Sequence, residues 1–120
     1  MRRVLHREMA VAKITSRESK DIFEMIGRAS SIKQASSALK AMSHPVRYKI
    51  LCLLAAEEMS VLDIVDAVGA TQSNVSQHLS ILRQYHVLTT RREKNKVFYR
   101  IADSRIVKML GLTREIFCRR

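Results

Sequence analysis

Val61-Leu-Asp-Ile-Val-Asp-Ala-Val-Gly69-Ala-Thr-Gln-Ser-Asn-Val75-Ser-Gln-His-Leu79 reads as two short helices joined by a tight turn. Ser60 stands where an N-cap belongs, and Asp63 follows at the position a capping box gives to an acidic side chain. Gly69 can take the left-handed conformation that stops a helix after Val68. Thr71 then caps a second helix, Gln72 to about Tyr85, with Val75, Leu79 and Leu82 on one face. Ile64, Val68, Val75 and Leu79 hold the pair together in this reading. The start of the second helix is otherwise polar: Gln72, Ser73, Asn74, Ser76, Gln77 and His78. Two helices so arranged have the shape of a unit that enters the major groove of DNA. The residue types suit that task, because Asn and Gln pair bidentately with adenine and Ser reaches either base type. A soluble helix with a polar face and no partner is the competing account of the same residues.

After Tyr85 the apolar period changes to two. Val87 to Arg92, the polar turn Glu93-Lys94-Asn95, and Lys96 to Ile101 read as a β-hairpin. It carries Arg91, Arg92, Lys94, Lys96 and Arg100 against Glu93 alone. A basic hairpin beside a reading helix can lie on flanking phosphates or in the minor groove. The same charges would also guard a solvated edge against strand pairing. Asp103 or Ser104 opens a last helix, in which Ile106, Leu110, Thr113 and Phe117 align. Upstream, Pro45 disfavours helix at His44 and suits the first turn of a helix running to about Glu57. Its apolar stripe is Val46, Ile50, Leu53 and Leu54. Before it, a helical period runs from Ser19 through Ile22, Met25 and Ile26, then Ile32, Ala35, Leu39 and Met42. Gly27 and the Ser30-Ser31 pair are candidate breaks. Residues 1–17 hold Arg2, Arg3, Arg7, Lys13 and Arg17 with little apolar pattern and read as a flexible basic N-terminal arm. Residues 18–118 read as one domain. The expected fold class is mainly α: a winged helix-turn-helix of about five helices plus a two-stranded β-hairpin wing.

The chain has 120 residues, enough for one core. Lys and Arg number 22 against 11 Asp and Glu, a formal net charge of +11. That excess favours a polyanionic partner, nucleic acid first and an acidic membrane surface as the competitor. The longest apolar run, Ile50 to Ala56, falls far short of the ~20 residues of a spanning helix. His6, Arg7 and Glu8 interrupt the basic start, which argues against export. Two cysteines, Cys52 and Cys118, do not make a secreted disulfide scaffold, so the expected location is cytoplasmic. No glycine-rich phosphate loop, His-Glu metal motif or cluster of nucleophile and base is present in the sequence. No enzyme, catalytic residue or cofactor is expected.

Leu39-Lys-Ala-Met-Ser-His-Pro-Val-Arg-Tyr-Lys-Ile-Leu51, Met59-Ser-Val61, Gln72-Ser-Asn-Val-Ser-Gln-His-Leu-Ser-Ile-Leu-Arg83 and Val97-Phe-Tyr-Arg-Ile101 resemble the ArsR family of winged-helix repressors. The resemblance covers residues 35 to 118 or so. It implies a homodimer joined through its first and last helices, an inverted-repeat double-stranded DNA operator, and release of that operator on binding an inducer. Metal is a family inducer. One family site uses a Cys-Val-Cys pair where this chain has Ser60-Val61-Leu62, neither end of which is a soft ligand. Another uses Asp and His in the last helix; Asp103 matches, but Arg105 replaces the histidine and Thr113 to Phe117 offers none. His6, His44, His78 and His86 are scattered without ligand spacing. No metal site is expected.

Successive helical residues rotate by ~100°, which puts Cys52 about 140° and Cys118 about 110° from the apolar stripes of their own helices. Neither thiol fills its helix's main core seam, although either can be a small hydrophobe held against a neighbouring element. A cysteine late in the second helix and another in an Ile-Phe-Cys ending resemble the dithiol subgroup of BigR-, SqrR- and HlyU-type regulators. That resemblance implies sensing of reactive sulfur: a persulfide reacts with one thiol, the second resolves the adduct, and a disulfide or polysulfide bridge forms. Such chemistry requires two thiols within bridging reach, at least one of them substantially ionised. Arg114, Arg119 and Arg120 would favour the thiolate at Cys118; no comparable charge argument applies to Cys52. A general oxidant sensor would use the same two thiols. A basic nucleic-acid-binding protein without a thiol switch would use neither.

Overall fold

The computed structural model describes residues 15–118. Most of the expected basic arm, and Arg119 and Arg120, lie outside the described residues. The chain forms two units, residues 1–35 and 36–120.

The first unit holds α1 (Ser16–Ile26) and the start of α2 (Ala29–Met42). The Thr15 hydroxyl accepts from the Glu18 N–H at 3.0 Å while the Glu18 carboxylate accepts from the Thr15 N–H at 2.9 Å. This reciprocal cap, not the apolar period, sets where α1 begins, a turn before Ser19. Gly27 closes α1, whereas Ser30 and Ser31 sit inside α2 without breaking it. No residue of α1 is buried; Ile22, Phe23, Met25 and Ile26 are all exposed.

The second unit continues through α3 (Pro45–Ala56), β1 (Met59–Ser60), α4 (Val61–Val68), α5 (Gln72–Gln84), β2 (Leu88–Glu93), β3 (Lys96–Ile101) and α6 (Ser104–Phe117). Six helices stand among the described residues where the sequence predicts about five, because the first periodic stretch divides at Gly27. At the entry to α3, His44 has extended backbone and its ring Nδ1 accepts from the Val46 N–H at 3.1 Å, with Pro45 at the first helical position. The histidine ring takes the capping role usually given to Ser or Asp.

The core gathers Ile50, Leu51, Ile64, Val75, Leu79 and Leu82, all fully excluded from solvent, with Leu54, Val87, Leu88 and Leu110 around them. The expected stripe on α3 contains Leu53 where the structure buries Leu51. The reason is that α3 is flanked by α4, α5, α6 and β3, so it buries a wider arc than one stripe. On α6 the expected stripe ends early: Leu110 is buried, but Phe117 is 78% exposed.

The wing is larger than a hairpin. β2 and β3 pair antiparallel from Leu88 opposite Ile101 to Glu93 opposite Lys96. β1 adds to the other side of β3, with Met59 opposite Tyr99 and Ser60 opposite Phe98, giving the order β1-β3-β2. A two-residue strand has no period to read, so the sequence carries no sign of it. At the hairpin turn Lys94 takes a left-handed φ of 55°.

Candidate functional site

The reading unit is held by local hydrogen bonds. At α4, the Ser60 and Asp63 side chains each accept from the other residue's N–H at 3.3 Å. Gly69 ends α4 with φ 76°, a conformation that disfavours residues with a side chain. The Thr71 hydroxyl accepts from the Asn74 N–H at 3.1 Å and starts α5. With Val75, Leu79 and Leu82 buried, Gln72, Ser73, Asn74, Ser76 and Gln77 are left exposed at the leading end.

His78 is the exception among the six polar residues. It is half-buried, with its Nδ1 3.2 Å from the Arg47 Nη1 and its ring centroid 4.7 Å from that of His44. An arginine N–H only donates, so Nδ1 is the acceptor and His78 is neutral with its proton on Nε2. Burial, and then His44 and Arg47, hold its pKa below the ordinary histidine value. Arg47 also donates through Nε to the Ala41 carbonyl. One guanidinium therefore ties the end of α2 and the start of α3 to the reading helix. Two histidines that look scattered along the chain meet here.

On the wing, Arg92, Lys94, Lys96 and Arg100 are exposed. Arg91 is differently placed. Its guanidinium grips the Glu58 carboxylate through Nε, at 3.0 Å, and Nη2. It also lies 3.3 Å from Glu93 and 5.0 Å from the Phe98 ring centroid. The Arg91 hydrogen bond lowers the Glu58 pKa, and Glu58 raises that of Arg91. Arg91 fastens β2 to the segment before β1. The wing's positive charge is thus opposed by Glu58 as well as Glu93.

Between α3 and α6 lies a cleft of about 350 Å³. Tyr48, Cys52 and Ala55 line it from α3, and Val107, Gly111, Arg114 and Cys118 are on the α6 side with Leu110. Both thiols are free and exposed. The Thr113 hydroxyl donates to the Leu110 carbonyl at 2.8 Å, so the Tyr48 hydroxyl, 2.6 Å away, is the donor to Thr113. That pair joins the two helices at the cleft wall. Burial pushes the Cys52 thiol pKa up, and Cys118 adds to the rise; Arg114 and the neighbouring Tyr48 hydroxyl oppose it. The arginine expected to act on Cys118 is therefore felt by Cys52 across the cleft.

Asp103, the residue matching a family metal site, is otherwise engaged. It caps α6 by accepting from the Arg105 N–H at 2.8 Å, and its carboxylate pairs with the Arg105 guanidinium at 2.6 Å. These contacts with Arg105 lower its pKa to about 2. Among the described residues no three His, Cys, Asp or Glu side chains are grouped to hold a metal ion.

The family model for bacterial regulatory proteins of the arsR family matches residues 44–86, from the cap of α3 to just past the reading helix. A biofilm growth-associated repressor of Xylella fastidiosa is 33% identical over 85 residues, which cover 71% of this chain and 75% of that protein. The chain belongs to the ArsR family. HlyU from Vibrio cholerae has a similar structure, with a TM-score of 0.69 at 33% identity, covering 77% of this chain and 100% of HlyU. A homodimeric winged helix-turn-helix DNA-binding domain from Mycobacterium bovis gives 0.70 at 26% identity, covering 88% of this chain and 89% of that domain. This ArsR-family chain is a DNA-binding transcriptional regulator, and its family consists of regulators, not enzymes. No described helix is long and apolar enough to cross a membrane.

In this ArsR-family fold three features escape the sequence: the Arg47–His78–His44 cluster, the Glu58–Arg91 pair and the Tyr48–Thr113 bond. All three join residues more than thirty positions apart and leave no local signal. The cleft does leave one. Tyr48, Cys52 and Ala55, and likewise Val107, Gly111, Arg114 and Cys118, recur at the spacing of one helical face. What no periodicity says is that the two faces meet.

Proposed function

We propose that this regulator is a homodimeric repressor whose affinity for its operator falls when reactive sulfur species bridge Cys52 and Cys118. The observation that carries this reading is that one cleft between α3 and α6 is lined by both thiols. In the first step one thiolate attacks the outer sulfur of an organic persulfide, RSSH. The S–S bond breaks and RSH leaves, with a cysteine persulfide formed on the protein. The second thiolate then attacks the inner sulfur of that group, the two cysteines become joined, and hydrogen sulfide leaves. Two thiols and one RSSH thus give one disulfide, one RSH and one hydrogen sulfide. Each further RSSH consumed before closure adds one sulfur to the bridge and releases one more RSH.

In this reading Gln72, Ser73, Asn74, Ser76, Gln77 and His78 face the major groove, His78 being additionally anchored by Arg47. Arg92, Lys94 and Lys96 serve flanking phosphates, with Arg91 setting the wing's position. Dimerisation draws support from α6, where exposed Met109, Leu112 and Ile116 recur on the flank away from the cleft. Because α3 leads into α4 and α5, a bridge from α3 to α6 would change how far apart a dimer holds its two reading helices.

The test is to treat wild type, Cys52→Ser and Cys118→Ser with an organic persulfide and follow intact mass and operator release together. Wild type should gain an intramolecular bridge and let go of DNA, and neither variant should do either. Release by both variants at the wild-type level would defeat the dithiol mechanism. If peroxide bridges the thiols and persulfide does not, the signal is a general oxidant.

A further inference from the structure

The geometry points to Arg114 as an anion-binding residue that selects, among organic persulfides, those carrying a carboxylate. This rests on the dithiol reading for its sulfur chemistry, but the anion site itself does not. The cleft walls are apolar at Ala55, Val107 and Leu110, and among the described residues Arg114 is the one charged side chain on its lining. The Tyr48 hydroxyl already serves Thr113 and Cys52, and the thiols are the reacting groups. Among the described residues, a ligand's charged group therefore has Arg114 as its partner.

That guanidinium is exposed and available. The ion pairs among the described residues use Arg91 with Glu58 and Glu93, and Arg105 with Asp103; none engages Arg114. A planar guanidinium matches a carboxylate with two parallel hydrogen bonds. Its place suits the chemistry: one turn before Cys118 on the same face of α6, and across the cleft from Cys52, where it opposes the rise in thiol pKa that burial imposes. A carboxylate held there keeps the attached persulfide in the cleft that both sulfurs line. Beside Arg114, Gly111 leaves open space, with nothing within 4 Å of where a Cβ would stand. A volume of about 350 Å³ also exceeds what inorganic sulfide needs and falls in the range of small organic ligands.

The experiment compares two probes of similar size, the persulfides of 3-mercaptopropionate and of 2-mercaptoethanol, on wild type and Arg114→Met. Bridge formation is timed by intact mass at fixed salt. Wild type should react about tenfold faster with the carboxylate probe, the order expected of one charge-assisted hydrogen-bonded pair. In Arg114→Met that preference should vanish, and Arg114→Lys should keep part of it. Equal slowing with both probes would mean that Arg114 only assists the thiolate, which overturns the inference. A second measurement removes the chemistry: the Cys52→Ser, Cys118→Ser double variant is titrated with unreactive 3-(methylthio)propionate by NMR. Shifts confined to α3 and α6 that Arg114→Met abolishes support the anion site, even if no bridge ever forms in wild type. Bridging without carboxylate preference and without such shifts removes the anion site and leaves the dithiol reading standing.

Discussion

His78 sits on the reading helix, but Arg47 and His44 hold it from the side of α3. Its pKa is lowered in the fold by burial, His44 and Arg47, so the unfolded chain binds a proton more readily than the native one. Stability from this residue is therefore complete above the ordinary histidine pKa of about 6.5 and is lost as pH falls from there through the lower native value. Urea midpoints measured across a pH series from about 7.5 down to about 5.5 should decline, and His78→Gln should flatten part of that decline. An unaltered slope in the variant would show that another group carries it. Residue-scale burial is legible where one helical face meets one neighbour: Val75, Leu79 and Leu82 follow the 3.6 period and are fully buried. It is not legible for Leu51, which the period places off the stripe of a helix surrounded on several sides. Nor is it for Phe117, which continues a stripe beyond the last neighbour that covers it.

Among the elements, the wing separates two kinds of arginine. Arg92 and Lys94 are exposed near the hairpin turn, and removing both should weaken DNA binding across all sequences. The salt slope should fall by about 0.9 for each phosphate no longer neutralised. An unchanged slope would take the wing out of the interface. Arg91→Ala should behave differently, loosening β2 from Glu58. In a double-mutant cycle with Glu58→Ala the two effects on stability should be non-additive. Caps, turn and hairpin are readable because each is written within a short stretch of chain. β1 is not, being two residues long and dependent on β3 for its hydrogen bonds. Likewise, the two faces of the cleft are each periodic, while their meeting is a property of the packed fold.

For the whole molecule, the proposed function requires a dimer that presents its reading helix twice and changes that presentation when the thiols are bridged. The exposed Leu112 and Ile116 on α6 are the dimer surface in this account, so Leu112→Asp with Ile116→Asp should give a monomer by sedimentation. That variant should also lose operator preference over random duplex; a dimer with intact preference would place the interface elsewhere. The net charge of +11 gives general attraction to DNA and does not depend on the thiols, so the switch must act on the specific part of binding. The most direct measurement is operator affinity of the dimer, reduced and then fully bridged by an organic persulfide, at physiological salt. A coupling of ~1–3 kcal/mol corresponds to a fall of about 5- to 150-fold, restored by a thiol reductant. Full bridging between Cys52 and Cys118 with affinity unmoved would contradict the account.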